Sequence, residues 1–240
     1  VMVGGLAEHG GGVFVDTTGT PTIHDCLIAG NRVELNGGGL YSFLDAGPDV
    51  INCTIAMNSA GGDGGGICVN SNGTDSAFFR NCVIQDNAAA GSGTQVMNLG
   101  SLYPGLYDSL IAGGGSSPDV VGGYSGGSGI FDGDAAFVGG DTATWTAAAS
   151  FDASKGVTSI NFGNGSTWKA GELAGRFINV DTASETRLFR IQANTTSNIT
   201  VEGSVAGMAS SGETFRIHDF HLSGTSPCID RGTDTYANVS

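Results

Sequence analysis

The sequence predicts an all-β chain. Its main body is a right-handed parallel β-helix of about five coils of ~27 residues, with a small antiparallel β module inserted near the end. Three observations carry this expectation. Glycine triplets begin at Gly10, Gly37 and Gly64, a period of 27 twice over (37 − 10 and 64 − 37). A cysteine column, Cys26, Cys53, Cys82 and then Ser109, advances by 27, 29 and 27. From about Gly139 the period is lost, and longer alternating apolar and polar runs replace it.

Aligned on the cysteines, the coils read TIHDCLIAGN (22–31), DVINCTIAMN (49–58), FFRNCVIQDN (78–87) and GLYDSLIAGG (105–114). The position before the cysteine is Asp25, Asn52, Asn81 and Asp108. Two positions after it stand Ile28, Ile55, Ile84 and Ile111, and five after it Asn31, Asn58, Asn87 and Gly114. Helical repeats need amphipathic runs of ten or more residues. These segments are short, β-branched and punctuated by Gly, Asn, Asp and Ser, so each coil is expected to hold two or three short strands. Alternation puts Cys53 and Ile55 on one face and Thr54 on the other. The glycine triplets suit turns where rungs crowd or φ is positive. The asparagine column suits an amide ladder, each side chain bonding the next rung.

After each triplet, Val13, Leu40 and Ile67 are expected to stack inward, with Phe14, Tyr41 and Cys68 outward. In the next strands Leu27, Thr54, Val83 and Leu110 point out, as do His24, Ile51, Arg80 and Tyr107. Residues 116–138 form a degenerate fifth coil, giving a stack roughly 24 Å tall at ~4.8 Å per rung. Residues 1–138 are therefore the coils. Residues 139–218 are the inserted barrel or sandwich, with the strands GRFINVD, TRLFRIQA, SNITVEG and ETFRIHD. Residues 219–240 return to cap the β-helix. The chain starts mid-pattern at Val1, the expectation for a mature protein or an excised fragment with more repeat before it.

Composition bounds the partners. Of 240 residues, 42 are glycine, and 23 acidic against nine basic residues give a net charge of −14. Such a surface repels phosphate backbones, which argues against nucleic acid, and no apolar run approaches the ~20 residues of a membrane span. Five cysteines without a CxxC spacing exclude a zinc knuckle. Adjacent rungs stand within disulfide reach, so Cys26–Cys53 or Cys53–Cys82 pairing is open, although Ser109 continuing the column favours small size over sulfur.

The triplet coils with Ile28–Asn31, Ile55–Asn58 and Ile84–Asn87 resemble secreted bacterial right-handed β-helix repeat proteins, including the polymorphic outer-membrane protein repeat, with Ile where that repeat has Phe. AAFVGGD (135–141) and DFHLSGTSPCID (219–230) resemble the two halves of a terminal motif of such proteins, here separated by the module. The resemblance implies a secreted or cell-surface location. It also implies a fold that hosts polysaccharide lyases, glycosidases and epimerases beside non-catalytic proteins, so the fold alone does not decide function.

No catalytic constellation stands out: there is no GxSxG or HExxH, and His9 and His24 lack a sequence partner. Asp132, Asp134 and Asp141 form a calcium candidate in GGSGIFDGDAAFVGGD, weighed against a solvated loop. Trp145, Trp168 and Tyr107 are candidates for stacking on sugar rings, weighed against a place in the core. Six N-x-[ST] matches occur, at Asn52, Asn72, Asn164, Asn194, Asn198 and Asn238. The expected function is an extracellular structural or adhesive β-helix contacting glycans or other surface partners. A polysaccharide lyase or glycosidase is the alternative, and a self-assembling filament or sheath subunit a further one.

Overall fold

The computed structural model describes residues 1–163, 168–229 and 231; the sequence matches at Asn164 and Asn238 lie outside them. Every regular element among the described residues is a β-strand. The chain divides into two compact units, Val1–Ala136 with Gly224–Ser240, and Phe137–Ser223.

The first unit is a parallel β-solenoid with four faces. Sheet A stacks Met2–Val3, Leu27–Ala29, Thr54–Ala56, Val83–Gln85 and Leu110–Ile111. Sheet B stacks Leu6–Ala7, Arg32–Val33, Ser59–Ala60 and Ala88–Ala89. Sheet C holds Val13–Val15, Leu40–Leu44, Ile67–Ser71, Val96–Asn98 and Val120–Val121. Sheet D holds Thr22–His24, Asp49–Ile51, Phe78–Arg80, Gly105–Tyr107 and Ser125–Gly126. Four coils thus carry four strands each, not the two or three expected, and a fifth carries three. The two-residue strands of sheet B are too short to show alternation, so their sequence reads as turn.

Side chains on the inner faces fill one continuous core. Ile28, Ile55, Ile84 and Ile111 stack in register, each fully buried, beside Leu40, Ile67 and Val96 from sheet C and Val50, Phe79 and Leu106 from sheet D. Burial stabilises each such side chain by roughly 1.5–3 kcal/mol. Outward positions are not all exposed: Tyr41, Ile51, Cys68 and Leu110 are buried from outside by their neighbours.

Three columns are explained by rung-to-rung stacking. Asn58 Oδ1 accepts from the backbone N–H and the side-chain amide of Asn31 (3.0 and 2.9 Å), while Asn58 Nδ2 donates to Ile28 O and Asn87 Oδ1. Asn87 passes the ladder to Gln95 Oε1 at 2.8 Å. Asp25, Asn52, Asn81 and Asp108 each turn the D-to-A corner at φ near +50°, a left-handed conformation that Asn and Asp tolerate. Gly37 turns the B-to-C corner at φ 71°, and a Cβ on Gly38 would meet Gly65 O at 2.3 Å. A further column, Pro21, Pro48, Ala77 and Pro104, precedes sheet D, its carbonyls bonding Asp49, Phe78, Gly105 and Ser125. Proline fits there because the following strand needs only its carbonyl.

At the far end Phe131 bridges Leu110 and adds one more position to sheet A. The chain then brings Ala135 onto Gln85, whose Oε1 accepts its N–H, and Ser226 Oγ donates to Ala135 O. Residues on either side of the insertion therefore meet within the solenoid.

The second unit is a seven-stranded antiparallel sheet: Thr142–Thr144, Thr214–His218, Phe177–Asn179, Phe189–Asn194, Asn198–Glu202, Val157–Asn161 and Ser150–Asp152 in spatial order. A Trp145–Phe162 bridge and a hydrogen bond from Thr146 N to Asn161 O join its first strand to its sixth, so the sheet closes on itself. Inside, Trp145 stacks on Phe215 at 3.9 Å among Ile160, Ile178, Ile191, Ile199, Val201 and Ile217.

Two stability measurements follow from these contacts. Asn58→Ala strands the amide groups of Asn31 and Asn87 in the core, so it should cost about 3 kcal/mol in urea unfolding of the solenoid, while the exposed Asn72→Ala costs little. Burial, then the charge of Arg216, pushes the His218 imidazole down to about 4 from its ordinary 6.5. The folded module prefers the neutral ring. Its stability contribution is whole above pH 6.5 and is lost as pH falls toward 4, by roughly 3 kcal/mol. His218→Gln should flatten the unfolding free energy across that window.

Candidate functional site

The residues singled out as candidates separate in the structure. Trp145 and Trp168 are 1 % and 6 % exposed, so the expectation that they stack on sugars is corrected: both rings fill the barrel core. Each indole N–H is satisfied internally, Trp145 Nε1 by Val180 O at 2.7 Å and Trp168 Nε1 by Asp141 Oδ2 at 2.9 Å. A small closed sheet needs large side chains to fill its interior, and a buried indole needs an acceptor.

That bond occupies Asp141. Asp132 instead accepts from the backbone amides of Gly113 and Gly133, and Asp134 from Ala136 N and the Gln85 amide. Asp132 and Asp134 belong to the solenoid and Asp141 to the module. No group of three or more His, Cys, Asp or Glu side chains is placed to hold a metal ion among the described residues. Calcium needs several oxygens at one point, and these carboxylates instead close turns. In the solenoid, Asp132 and Asp134 spend their oxygens on such turn amides rather than on a shared point.

Tyr107 is the candidate that faces outward on sheet D, and it has company. Register places Arg80 beside Tyr107 and Phe78 beside Gly105. The Arg80 guanidinium lies 4.4 Å from the Phe78 ring centre and 5.9 Å from that of Tyr107, and it forms an ion pair with Asp49 on the preceding rung. Two glycines make room for the rings: a Cβ at Gly105 would meet Phe78 Cδ1 at 2.4 Å, and one at Gly126 would meet Tyr107 Cε1 at 2.4 Å. Both rings therefore lie down on the sheet, with the cation between them. Arg80 keeps 19 % of its side-chain surface exposed and Asp49 37 %.

A polar corner borders this cluster. Asn52 Nδ2 donates to Asp25 Oδ1 and Asn81 Nδ2 to Asn52 Oδ1, while His24 Nδ1 lies 3.0 Å from Asp25 Oδ2. The hydrogen bond from His24, then that from Asn52, holds the Asp25 carboxyl below its ordinary value. A general acid needs the opposite shift. The arrangement can recognise a ligand through ring faces, a guanidinium and carboxylates.

Phe78 escaped selection on sequence. The signal was present: Phe78 and Arg80 alternate with the buried Phe79, and column alignment places Phe78 opposite Gly105 and Arg80 opposite Tyr107. The paired cysteines left open by spacing are not formed; all five are free thiols. Cys53 and Cys82 line the core. Burial pushes the thiols of Cys53 and Cys68 up to about 12 and that of Cys82 up as well.

Residues 6–107 match the family model described as right handed beta helix region. With the four parallel sheets, this makes the solenoid a right-handed β-helix. No curated protein and no solved structure matches the chain. No helix is long and apolar enough to cross a membrane among the described residues.

Thiol reactivity checks the scaffold assignment of the cysteine column. In the native protein, iodoacetamide at pH 8 should modify the half-buried Cys26 and Cys228 first, and Cys53, Cys68 and Cys82 only after unfolding, as read by peptide mass mapping.

Proposed function

We propose that the protein is an extracellular structural or adhesive β-helix that holds glycans or other surface partners without transforming them. The observation that carries this reading is the contrast between the two sides of the sheets. Inside, the polar columns are consumed by the stack, Asn31 to Asn58 to Asn87 to Gln95. Outside, sheet D carries Phe78, Arg80, Tyr107 and Asp49 as one cluster. Such a cluster suits recognition: rings for the apolar face of a sugar, Arg80 and Asp49 for its hydroxyl groups.

Charge supports the same reading. Of the 23 acidic and nine basic residues, eight and six lie in 137–223, which leaves fifteen and three for the solenoid unit. That excess of acid keeps a rod soluble and disfavours polyanionic partners. Location outside the cell rests on the resemblance of the coils to secreted repeat proteins.

The test is retention without turnover. Affinity electrophoresis through gels containing xyloglucan, mucin or polygalacturonate should retard the protein on at least one of them. Tyr107→Ala and Arg80→Gln should each weaken retardation about tenfold while leaving the circular dichroism unchanged. Chromatography of the same glycans after long incubation should show no new product. A reproducible hydrolysis or elimination product would establish the lyase or glycosidase alternative instead.

A further inference from the structure

We propose that Asn72 is a site of spontaneous covalent modification: the main-chain nitrogen of Gly73 attacks the Asn72 side-chain amide, and water opens the resulting imide to aspartate and isoaspartate. The reaction consumes only water. It is independent of the glycan reading.

The chemistry asks for three things. An asparagine side chain must reach the nitrogen of the next residue, no side chain on that residue may crowd the approach, and the nitrogen must be free of other bonds. Glycine meets the second condition best, having no Cβ. Asparagine precedes glycine at Asn36, Asn72 and Asn164. Asn164 lies outside the described residues, and the structure separates the other two.

Asn36 and Gly37 form the corner ahead of sheet C. Gly37 is buried at φ 71°, and its N–H donates to Asp63 O at 3.0 Å. Asn36 is held on both sides, its N–H donating to His9 Nδ1 and its Oδ1 accepting from Asp63 N at 2.8 Å. The nucleophile is therefore committed, and attack requires a rung-to-rung bond to open first.

Asn72 and Gly73 begin the loop from Ile67–Ser71 of sheet C to Phe78–Arg80 of sheet D. Asn72 is exposed and Gly73 half-buried. Among the described residues no hydrogen bond engages the Gly73 N–H. The amide it would attack is nevertheless held. Asn72 N–H donates to Leu44 O at 3.1 Å, and Asn72 Oδ1 accepts from Ser101 N at 3.0 Å. Ser71 Oγ donates to Asp75 O at 3.0 Å and braces the loop from its far side. Each of the two asparagine carbonyls accepts one backbone amide, so their polarisation is alike. The free nucleophile distinguishes Asn72. Packing also keeps glycine in place beside it, because a Cβ on Gly73 would have to displace the Asp45 carboxylate, whose Oδ1 it would meet at 1.4 Å.

The steps balance. Base removes the Gly73 N–H proton, the nitrogen bonds to Asn72 Cγ, and the carbonyl electron pair moves to Oδ1, where the Ser101 N–H lies. The pair returns, the Cγ–Nδ2 bond breaks, and Nδ2 leaves as ammonia with a proton from water. Nδ2 has Asn70 Oδ1 at 3.4 Å as its partner, at the surface, so its exit is open. Water then cleaves one of the two carbon–nitrogen bonds of the five-membered imide. Cleavage at Cγ gives aspartate on an unchanged main chain. Cleavage at the main-chain carbonyl carbon gives isoaspartate, with one methylene added to the main chain. The sum is one water in and one ammonia out, with no oxidation.

The test incubates the full chain in mildly alkaline heavy-oxygen water and follows each asparagine by peptide mass mapping. Methylation by an isoaspartyl methyltransferase identifies isoaspartate. In the folded protein Asn72 should convert about tenfold or more faster than Asn36, since Gly37 N must first leave its hydrogen bond. In concentrated urea the two rates should converge. Asn72→Gln, whose longer side chain closes a six-membered ring only slowly, should lose the modification with an unchanged circular dichroism spectrum. Equal rates at Asn72 and Asn36 in the folded protein overturn the proposal, as does an Asn72 that stays intact. Aspartate formed without isoaspartate overturns it too, because direct hydrolysis needs no attack by Gly73. An Asn36 that remains slow in urea removes the structural cause and overturns it likewise.

Discussion

Everything in the solenoid is subordinate to the close axial approach of its rungs. Strands in one sheet stand ~4.8 Å apart, so a side chain at any position meets its counterpart above and below. Only groups that tolerate their own kind at that distance can recur inside. Isoleucine does so by dispersion, and an uncharged amide does so because it is donor on one side and acceptor on the other. A carboxylate cannot, since it has nothing to donate. This is why Asn31, Asn58 and Asn87 run through the interior while the aspartates sit at corners. The constraint reaches the backbone too, where Gly38 faces Gly65 O with no room for a methyl group.

That constraint made much of the fold legible before any coordinates. The period, the inward isoleucines and the amide ladder all leave a column in the sequence, because each coil repeats the same solution. What left no column was harder to read. Sheet B uses two residues per rung and no alternation. The fourth glycine turn, at Gly93, is followed by Thr94 and Gln95 rather than glycine, yet Gln95 does a structural task by accepting from Asn87. The covering of Tyr41 and Cys68 arises between residues of different rungs, which strand alternation does not describe.

The candidate sites divided along the same line. Trp145 and Trp168 drew notice because an indole can stack on a sugar ring, but residue type does not distinguish a core ring from a binding ring. Burial does, and burial in the module depends on closure of the sheet through the Trp145–Phe162 bridge. Asp132 and Asp134 looked like ligands because acids and glycines alternate. Glycine-rich corners also leave backbone amides without strand partners, and those amides are what the two carboxylates take. On sheet D, in contrast, Arg80 and Tyr107 could be placed on one face from sequence alone. The missing element was Phe78, whose ring shares the same cation.

The crossing into and out of the inserted unit has a consequence of its own. Within the solenoid, Ala135 and Ser226 are joined by a hydrogen bond although ninety-one positions separate them in the chain. Within the module, Phe137 bridges Leu222, and Val138 N bonds His221 O. The excursion therefore begins and ends at neighbouring points in each unit, like a hairpin whose tip has grown into a domain. Its length carries little weight in the closure of that hairpin, because loop entropy rises only logarithmically with the number of residues. The number of residues carried by the hairpin thus adds little to the free energy of closing it, and the rungs on which Ala135 rests keep their own register.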